Sequence, residues 1–556
     1  MATDSTALSA SSDRTRALAD FVGRLADAHA DPDTVFALRL AQTGLGTLEL
    51  APAPAPVIAV VGPTQTGKST VVNILAGSDQ VSASPLAAHT QTAALLTVNV
   101  DPAEVGVDGL EAHGLAVQPE PVTDEGPARL IWDTPDFDSN AAAVYRQQVA
   151  RVCALADLVV VVVSKEKYAD QSVWQVLETL SPLRTPTLLC LNKCDDDDET
   201  AVLVEAIERR LAGDSRLSGG IAVLTLPMVP GGGAAAQALA MPAVAEFRAE
   251  VFRRLAPRTL AQKRTGLARL VRAGWPAWVE PVEQELACRR EWQALVGDQA
   301  RSLLARYRSE YLDHSKHHDV ARKAILGLLE LLEFPALAKP MAGARHVLTW
   351  PFRRLAGAFG QAPDVSRDKE LEVLEEAIEH CLITLRGEAA ARRHPWWRAL
   401  ETRLAQREPG LRSDLRAEVE RYRAEFQPRI DDLSRQLHER LQRSPATLNA
   451  LRATRLGADA GGIVLAFKTG TLGLYDALFA PAVISVTSYL AESAVGQYLR
   501  SVIAGLKREQ YQQVSSIVED NLTRPLESLQ PGGAGLFGIS DAELQQARAA
   551  LEEREQ

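Results

Sequence analysis

VIAVVGPTQTGKSTVVNILAG, residues 57–77, sets an apolar run directly against a glycine-flanked loop and then a helical pattern. Gly62 to Ser69 satisfies G-x-x-x-x-G-K-[ST], and the flanking strand and helix are the context in which that spacing has a mechanism. In the loop Gly62, Pro63, Thr64, Gln65, Thr66 and Gly67, the small residues let the backbone wrap a phosphate. The helix N-terminus at Lys68, Ser69 and Thr70 adds a favourable dipole. Lys68 brings positive charge to β- and γ-phosphates, and the Ser69 hydroxyl is suited to magnesium. The stretch predicts a nucleotide-binding loop.

Working outward, apolar runs recur at 94–100, 129–132, 157–163, 187–191 and 221–226. Several are continuous rather than alternating, as in strands buried on both faces of a parallel sheet. Helical patterns at 68–77, 141–153, 170–180 and 199–212 separate them. The alternation predicts an α/β domain over residues 57–255 with a doubly wound, mainly parallel sheet. Before it, APAPAP at 51–56 reads as a stiff linker after an N-terminal helical segment, residues 1–50. After PGGGAAAQ at 230–237 the strand signals cease, which predicts a long all-α domain over residues 256–556. Leu371, Leu374, Ile378, Leu382 and Leu385 form one of its apolar stripes, with Glu372, Glu375, Glu376 and Glu379 opposite.

LLCLNKCD, ending at Asp195, places Asn192, Lys193 and Asp195 directly after a buried strand. Here the chain resembles the translation-factor-related P-loop GTPases, whose N-K-x-D element reads guanine. The resemblance implies that Asp195 accepts hydrogen bonds from the guanine edge, that Lys193 packs along the base, and that Asn192 braces the loop. Adenine would leave Asp195 facing an unpaired edge, so GTP and GDP are the expected ligands. Asp133 closes the run at 129–132 and precedes Asn192 by 59 residues, a spacing typical of these GTPases. The resemblance makes Asp133 a support for magnesium. It also requires a threonine in a loop after the P-loop helix, just before a strand. SPLAAHTQTAALLTV offers Thr90 and Thr92, and Thr92 is favoured because it lies nearer the strand. That threonine would ligate magnesium and sense the γ-phosphate.

In LIWDTPDFDSN, residues 130–140, the family's D-x-x-G glycine is replaced by Asp136. The glycine N–H normally approaches the γ-phosphate; Asp136 retains the N–H but adds a Cβ and a negative charge. The following position, where a glutamine often orients the attacking water, is Phe137, which has no hydrogen-bonding group. DTPDFDS and SKEKYADQS (164–172) resemble elements of bacterial Era-like and dynamin-like membrane GTPases. In such relatives water is placed by a P-loop residue, a bound monovalent cation or a partner, which makes Gln65 the candidate here. LTLPMVPGG, near Thr225, is only a positional match to the final base-contacting loop.

The net charge of −11 argues against nucleic acid as the main partner, because phosphate binding needs basic surface. Five cysteines without zinc-type pairing read as reduced thiols, and no basic segment followed by an apolar core opens the chain. The expected location is the cytoplasm, with peripheral association at the cytoplasmic membrane face. Two segments interrupt the helical region: 334–360, with Trp350, Phe352, Arg353 and Arg354, and 460–491, in which Lys468 and Asp476 break the apolar run. A span needs about 20 mainly apolar residues, and neither arm around those charges supplies it. Each segment reads either as buried core of the helical domain or as a membrane-contacting tip, and periodicity does not separate the two. The expected function is a slow GTPase switch whose helical domain couples nucleotide state to a lipid surface, self-association or a protein partner. Its rivals are a soluble GTPase acting on a cytosolic assembly such as the ribosome, and a GTP-binding scaffold with little hydrolysis.

Overall fold

The computed structural model describes residues 2–48, 50–79, 92–112, 115, 119–137, 142–194, 198–217, 220–229, 235–314, 365–442, 494–529, 531–532 and 536–552. The apolar segments 334–360 and 460–491 lie outside them. The chain divides into two units, Met1–Leu286 with Ala534–Gln556, and Ala287–Gly533.

In the first unit the strands are β1 (Val57–Val61), β2 (Ala94–Val98), β3 (Pro119–Val122), β4 (Arg129–Asp133), β5 (Leu158–Ser164), β6 (Thr187–Cys194) and β7 (Ala222–Pro227). Its helices are α1 (Ala2–Ala28), α2 (Pro32–Thr47), α3 (Lys68–Ala76), α4 (Val107–Ala112), α5 (Ala142–Leu155), α6 (Gln171–Leu180), α7 (Asp198–Gly213), α8 (Ala235–Leu239), α9 (Pro242–Arg254), the first part of α10 (Leu260–Tyr307), and Asp541–Glu552. The strand order is β3-β2-β4-β1-β5-β6-β7. Every pairing is parallel except β2 with β4. This is the doubly wound, mainly parallel sheet that the continuous apolar runs predict.

β1 and β5 are buried along their whole lengths, which explains why neither alternates polar with apolar residues. One face of the sheet packs on α3 and α9 through Ile58, Val60, Val71, Leu75, Phe247 and Val251. The other buries Ala59, Val61 and Trp132 in a cluster shared with α1, α2 and α5. The N-terminal segment is therefore two helices whose apolar faces join the core of the first unit. Asp31 caps α2 by accepting from the Thr34 N–H at 2.8 Å, with Pro32 entering the first turn.

β3 is absent from the sequence-based expectation. Its sequence, PEPV, carries prolines at 119 and 121, which cannot donate to a ladder and suit only an edge strand. It occupies that edge, paired only with β2.

In the second unit, α10 continues from Ala287 beside helices Val365–Ala390, Pro395–Gln442 and Ala494–Val518. Leu374, Ile378, Leu382 and Leu385 are buried while Glu372, Glu375 and Glu376 are exposed, so the stripe serves as a packing seam. Trp292 donates its indole N–H to Leu526 O at 2.7 Å and meets Trp397 edge-on. Buried Tyr307 donates to Glu370 Oε1 at 2.9 Å, and burial pushes its phenol well above the usual range. No helix among the described residues is long and apolar enough to cross a membrane.

Candidate nucleotide site

β1 delivers the chain to the loop at residues 62–67, and α3 carries it away, at the carboxyl edge of the parallel strands where open α/β sheets bind ligands. Two glycines show how closely the backbone is drawn in. A Cβ on Gly62 would stand 2.3 Å from Val162 O, and one on Gly67 the same distance from Asn192 Nδ2. Gly67 also holds φ +86°, a left-handed conformation that L side chains rarely adopt. Gln65 takes φ 63° with its side chain exposed. Thr66 is buried, its hydroxyl donating to Pro63 O at 2.9 Å. The result is a tight loop ending on a helix N-terminus, a cradle that fits an anion.

Residues distant in sequence lock this cradle. Asn192 Nδ2 donates to Thr66 O at 2.8 Å, and Asn192 Oδ1 accepts from its neighbour's Lys193 N–H at 2.8 Å. Lys193 Nζ donates to Gln65 O at 2.7 Å, with the Lys193 backbone at φ 61°. The β6 terminus thus braces the phosphate loop through both side chains. Asp195 lies outside the described residues, as does Thr90.

Asp133 ends β4 fully buried, and Ser69 Oγ donates to its Oδ2 at 3.0 Å. Next to it, the Thr134 hydroxyl donates to Val60 O at 2.8 Å, fixing the turn out of β4 onto β1. Thr134 is a structural member of the site that sequence reasoning did not single out. Thr92 is exposed, just ahead of β2, whose Ala94 stands opposite Asp133 in the antiparallel register. Lys68 is nearly buried; its ammonium donates to Pro63 O at 2.9 Å and pairs with the Asp136 carboxylate. Asp136 is therefore turned into the cradle, with Phe137 beside it almost wholly buried. An aliphatic hydroxyl and a carboxylate side by side form an oxygen donor set that fits a hard cation such as magnesium.

At the far end of α3 stands a second network absent from the sequence reading. Arg129 donates from Nε to Leu75 O at 2.9 Å and from Nη2 to the same oxygen at 2.7 Å, capping the helix that leads out of the cradle. Asp124 pairs with Arg129 at 2.5 Å and with Arg248, and both guanidinium groups lie over Phe252. Burial raises the Asp124 carboxyl, but donation from Arg248, Arg129 and the Gly126 N–H outweighs it and holds the pKa down at about 2.

A phosphate loop between β1 and α3, a strand-ending aspartate against its serine, and an asparagine–lysine brace define a P-loop GTPase domain. Residues 57–193 match the protein family described as "50S ribosome-binding GTPase". No curated protein matches the chain. Among solved structures, Era in complex with MgGDPNP and a segment of 16S ribosomal RNA is 17% identical, over 37% of this chain and 58% of that one, at a TM-score of 0.26. The chain thus spans less than two thirds of that Era chain. A member of an oligomerised bacterial dynamin pair, described as sensing and tethering membranes, is 11% identical over 95% of both chains at a TM-score of 0.33. LeoA, a bacterial dynamin GTPase from ETEC, is 11% identical over 94% of this chain and 99% of that one at 0.25.

Proposed function

We propose that the protein is a guanine-nucleotide switch with slow GTP hydrolysis, whose helical second unit relays nucleotide state to a lipid surface or a protein partner. The observation that carries this reading is the cradle at Gly62–Ser69 braced by Asn192 and Lys193. In it, backbone N–H groups and the Lys68 ammonium neutralise the phosphates. Asn192 and Lys193 set the position of the loop, and Asp195 follows them at the place that reads guanine. Ser69 and Thr92 would hold magnesium, with Asp133 behind them. Bound magnesium supplies charge neutralisation on the β- and γ-oxygens. Gln65 is the residue proposed to orient the attacking water.

Supporting the lipid reading are the aromatic and arginine composition of 334–360 and the interrupted apolar run of 460–491. The test is GTP turnover by the full chain with and without anionic vesicles, potassium or RNA, alongside vesicle flotation. Stimulation and flotation by vesicles in one nucleotide state are expected. No association in any nucleotide state would remove the membrane role, and stimulation by RNA alone would favour the soluble, ribosome-directed alternative. Turnover unchanged in Gln65→Ala would remove the role given to Gln65.

Phe137 favours one second reading. Its apolar side chain is buried in the core and replaces the glutamine that could have oriented water, as expected of a GTP-binding scaffold that hardly hydrolyses. Intact GTP binding without turnover under every condition would select it.

A further inference from the structure

We infer that Asp136 discriminates between nucleoside di- and triphosphates, because its carboxylate and the terminal phosphate compete for the Lys68 ammonium. The inference rests on the nucleotide reading of this site and goes beyond it in assigning a side-chain role to the residue that replaces the family's glycine. Lys68 and Asp136 form an ion pair whose side chains are only 6% and 12% exposed. So sheltered a pair is little weakened by salt, and removing one member leaves the other buried and unpaired.

The backbone that carries Asp136 is anchored on both flanks. On one side, Asp133 meets Ser69 Oγ at 3.0 Å and Thr134 bonds to Val60 O at 2.8 Å. On the other, Phe137 is 1% exposed and belongs to the cluster that contains Phe36 and Leu40 of α2 and Val149 of α5. The backbone at Asp136 cannot move far from Lys68 without disturbing one of these anchors.

A nucleotide in the cradle draws the same ammonium to its phosphates. A triphosphate brings a further phosphate group to the Lys68 ammonium that the Asp136 carboxylate already holds, so carboxylate and phosphate repel at close range. A diphosphate lacks that group and permits more of the ion pair to persist. The carboxylate therefore penalises GTP more than GDP. When GTP does bind, Asp136 withdraws and Phe137 shifts with it in the core shared with α2 and α5. By reciprocity, a partner that stabilises the withdrawn position raises GTP affinity.

The experiment is equilibrium titration of the full-length protein with fluorescent GDP and a fluorescent non-hydrolysable GTP analogue, in magnesium. The wild-type chain is expected to bind GDP more tightly. Asp136→Asn keeps the shape and removes the charge; it should raise triphosphate affinity about tenfold while GDP affinity changes less than about threefold. Asp136→Gly, which also removes the Cβ, should raise the triphosphate preference at least as far. GDP binding by either variant reports that it is folded. Equal changes for both nucleotides, or an unchanged ratio in both variants, would overturn the inference while leaving guanine binding intact. A wild-type chain that binds neither nucleotide would overturn the nucleotide reading itself.

Discussion

Asn192 occupies a place where one amide serves two backbone groups, accepting from the Lys193 N–H and donating to Thr66 O, each at 2.8 Å. Truncation to alanine leaves both without that partner and releases the cradle from β6. The expected cost is about 1–3 kcal/mol, felt as a roughly tenfold to hundredfold fall in nucleotide affinity. Isothermal titration of Asn192→Ala with GDP measures it; affinity within twofold of wild type would show that the brace is dispensable. Asp124 acts at the other end of α3 and gives a pH signature. Its folded pKa of about 2 lies below the ordinary value of 3.8, so its contribution is fully present above that ordinary value. It is lost as pH falls from about 4 through 2, and with the side chain 8% exposed it is worth about 2 kcal/mol at neutral pH. Asp124→Asn should lower stability at pH 7 by at least that amount, because Arg129 is left buried beside a neutral group, and should flatten the acid limb of the stability profile. Thermal denaturation across pH 2–7 tests the sign: an unaltered acid limb would show that other carboxylates dominate.

The sheet and its helices were legible because each carries a local period. β1, β5 and β6 announce themselves as unbroken apolar runs, and α3 begins at the lysine of a motif whose spacing has a steric cause. β3 was not legible, since a strand with two prolines has no pattern of its own and exists only because β2 offers it an edge. In the site, Gly62, Lys68 and Ser69 follow from the spacing of the loop, and Asp133, Asn192 and Lys193 from the resemblance to P-loop GTPases. The pairing of Lys68 with Asp136 could not, because it depends on how two loops meet rather than on either loop's composition. The same distinction governs the helical unit. Its stripes show which faces pack, but the bond from Trp292 to Leu526 O joins elements 234 residues apart. Trp292→Phe keeps an aromatic ring there and removes the indole donor, leaving Leu526 O with only the backbone N–H groups of the turn that follows it, Leu529 at 3.2 Å among them. A loss of about 0.5–1.5 kcal/mol in the unfolding of the second unit, the net worth of one hydrogen bond, is expected by calorimetry. A shift below about 0.5 kcal/mol would mean that the ring alone holds the junction.

At the scale of the chain, the first unit is made from both ends of the sequence. Residues after Ala534 return to it, and helix Asp541–Glu552 packs on α1 by burying Leu544 and Ala547. Polar bonds fix the return: Glu285 accepts from the Phe537 and Gly538 N–H groups at 2.8 and 3.2 Å, and Arg24 pairs with Glu543 at 2.5 Å. Hydrogen bonds from Ser540 and Arg24 hold the Glu543 carboxyl at about 2, but its side chain is 40% exposed, so solvent screening leaves it a minor contributor. The apolar contacts matter more. Ile539, Leu544 and Ala547 are each at most 5% exposed, and fully burying a large aliphatic side chain is worth roughly 1.5–3 kcal/mol. Deleting residues 534–556 uncovers their partners on α1 and leaves the Glu285 carboxylate without the two N–H groups that fix it. The truncated chain should lose about 5 °C or more in the transition of the first unit and bind hydrophobic dye, although the nucleotide site itself is intact in sequence. Adding the 534–556 peptide in trans should recover part of the loss. If the truncated chain melts at the wild-type temperature, residues 1–286 fold without the returning segment and the bonds at Glu285 carry no stability.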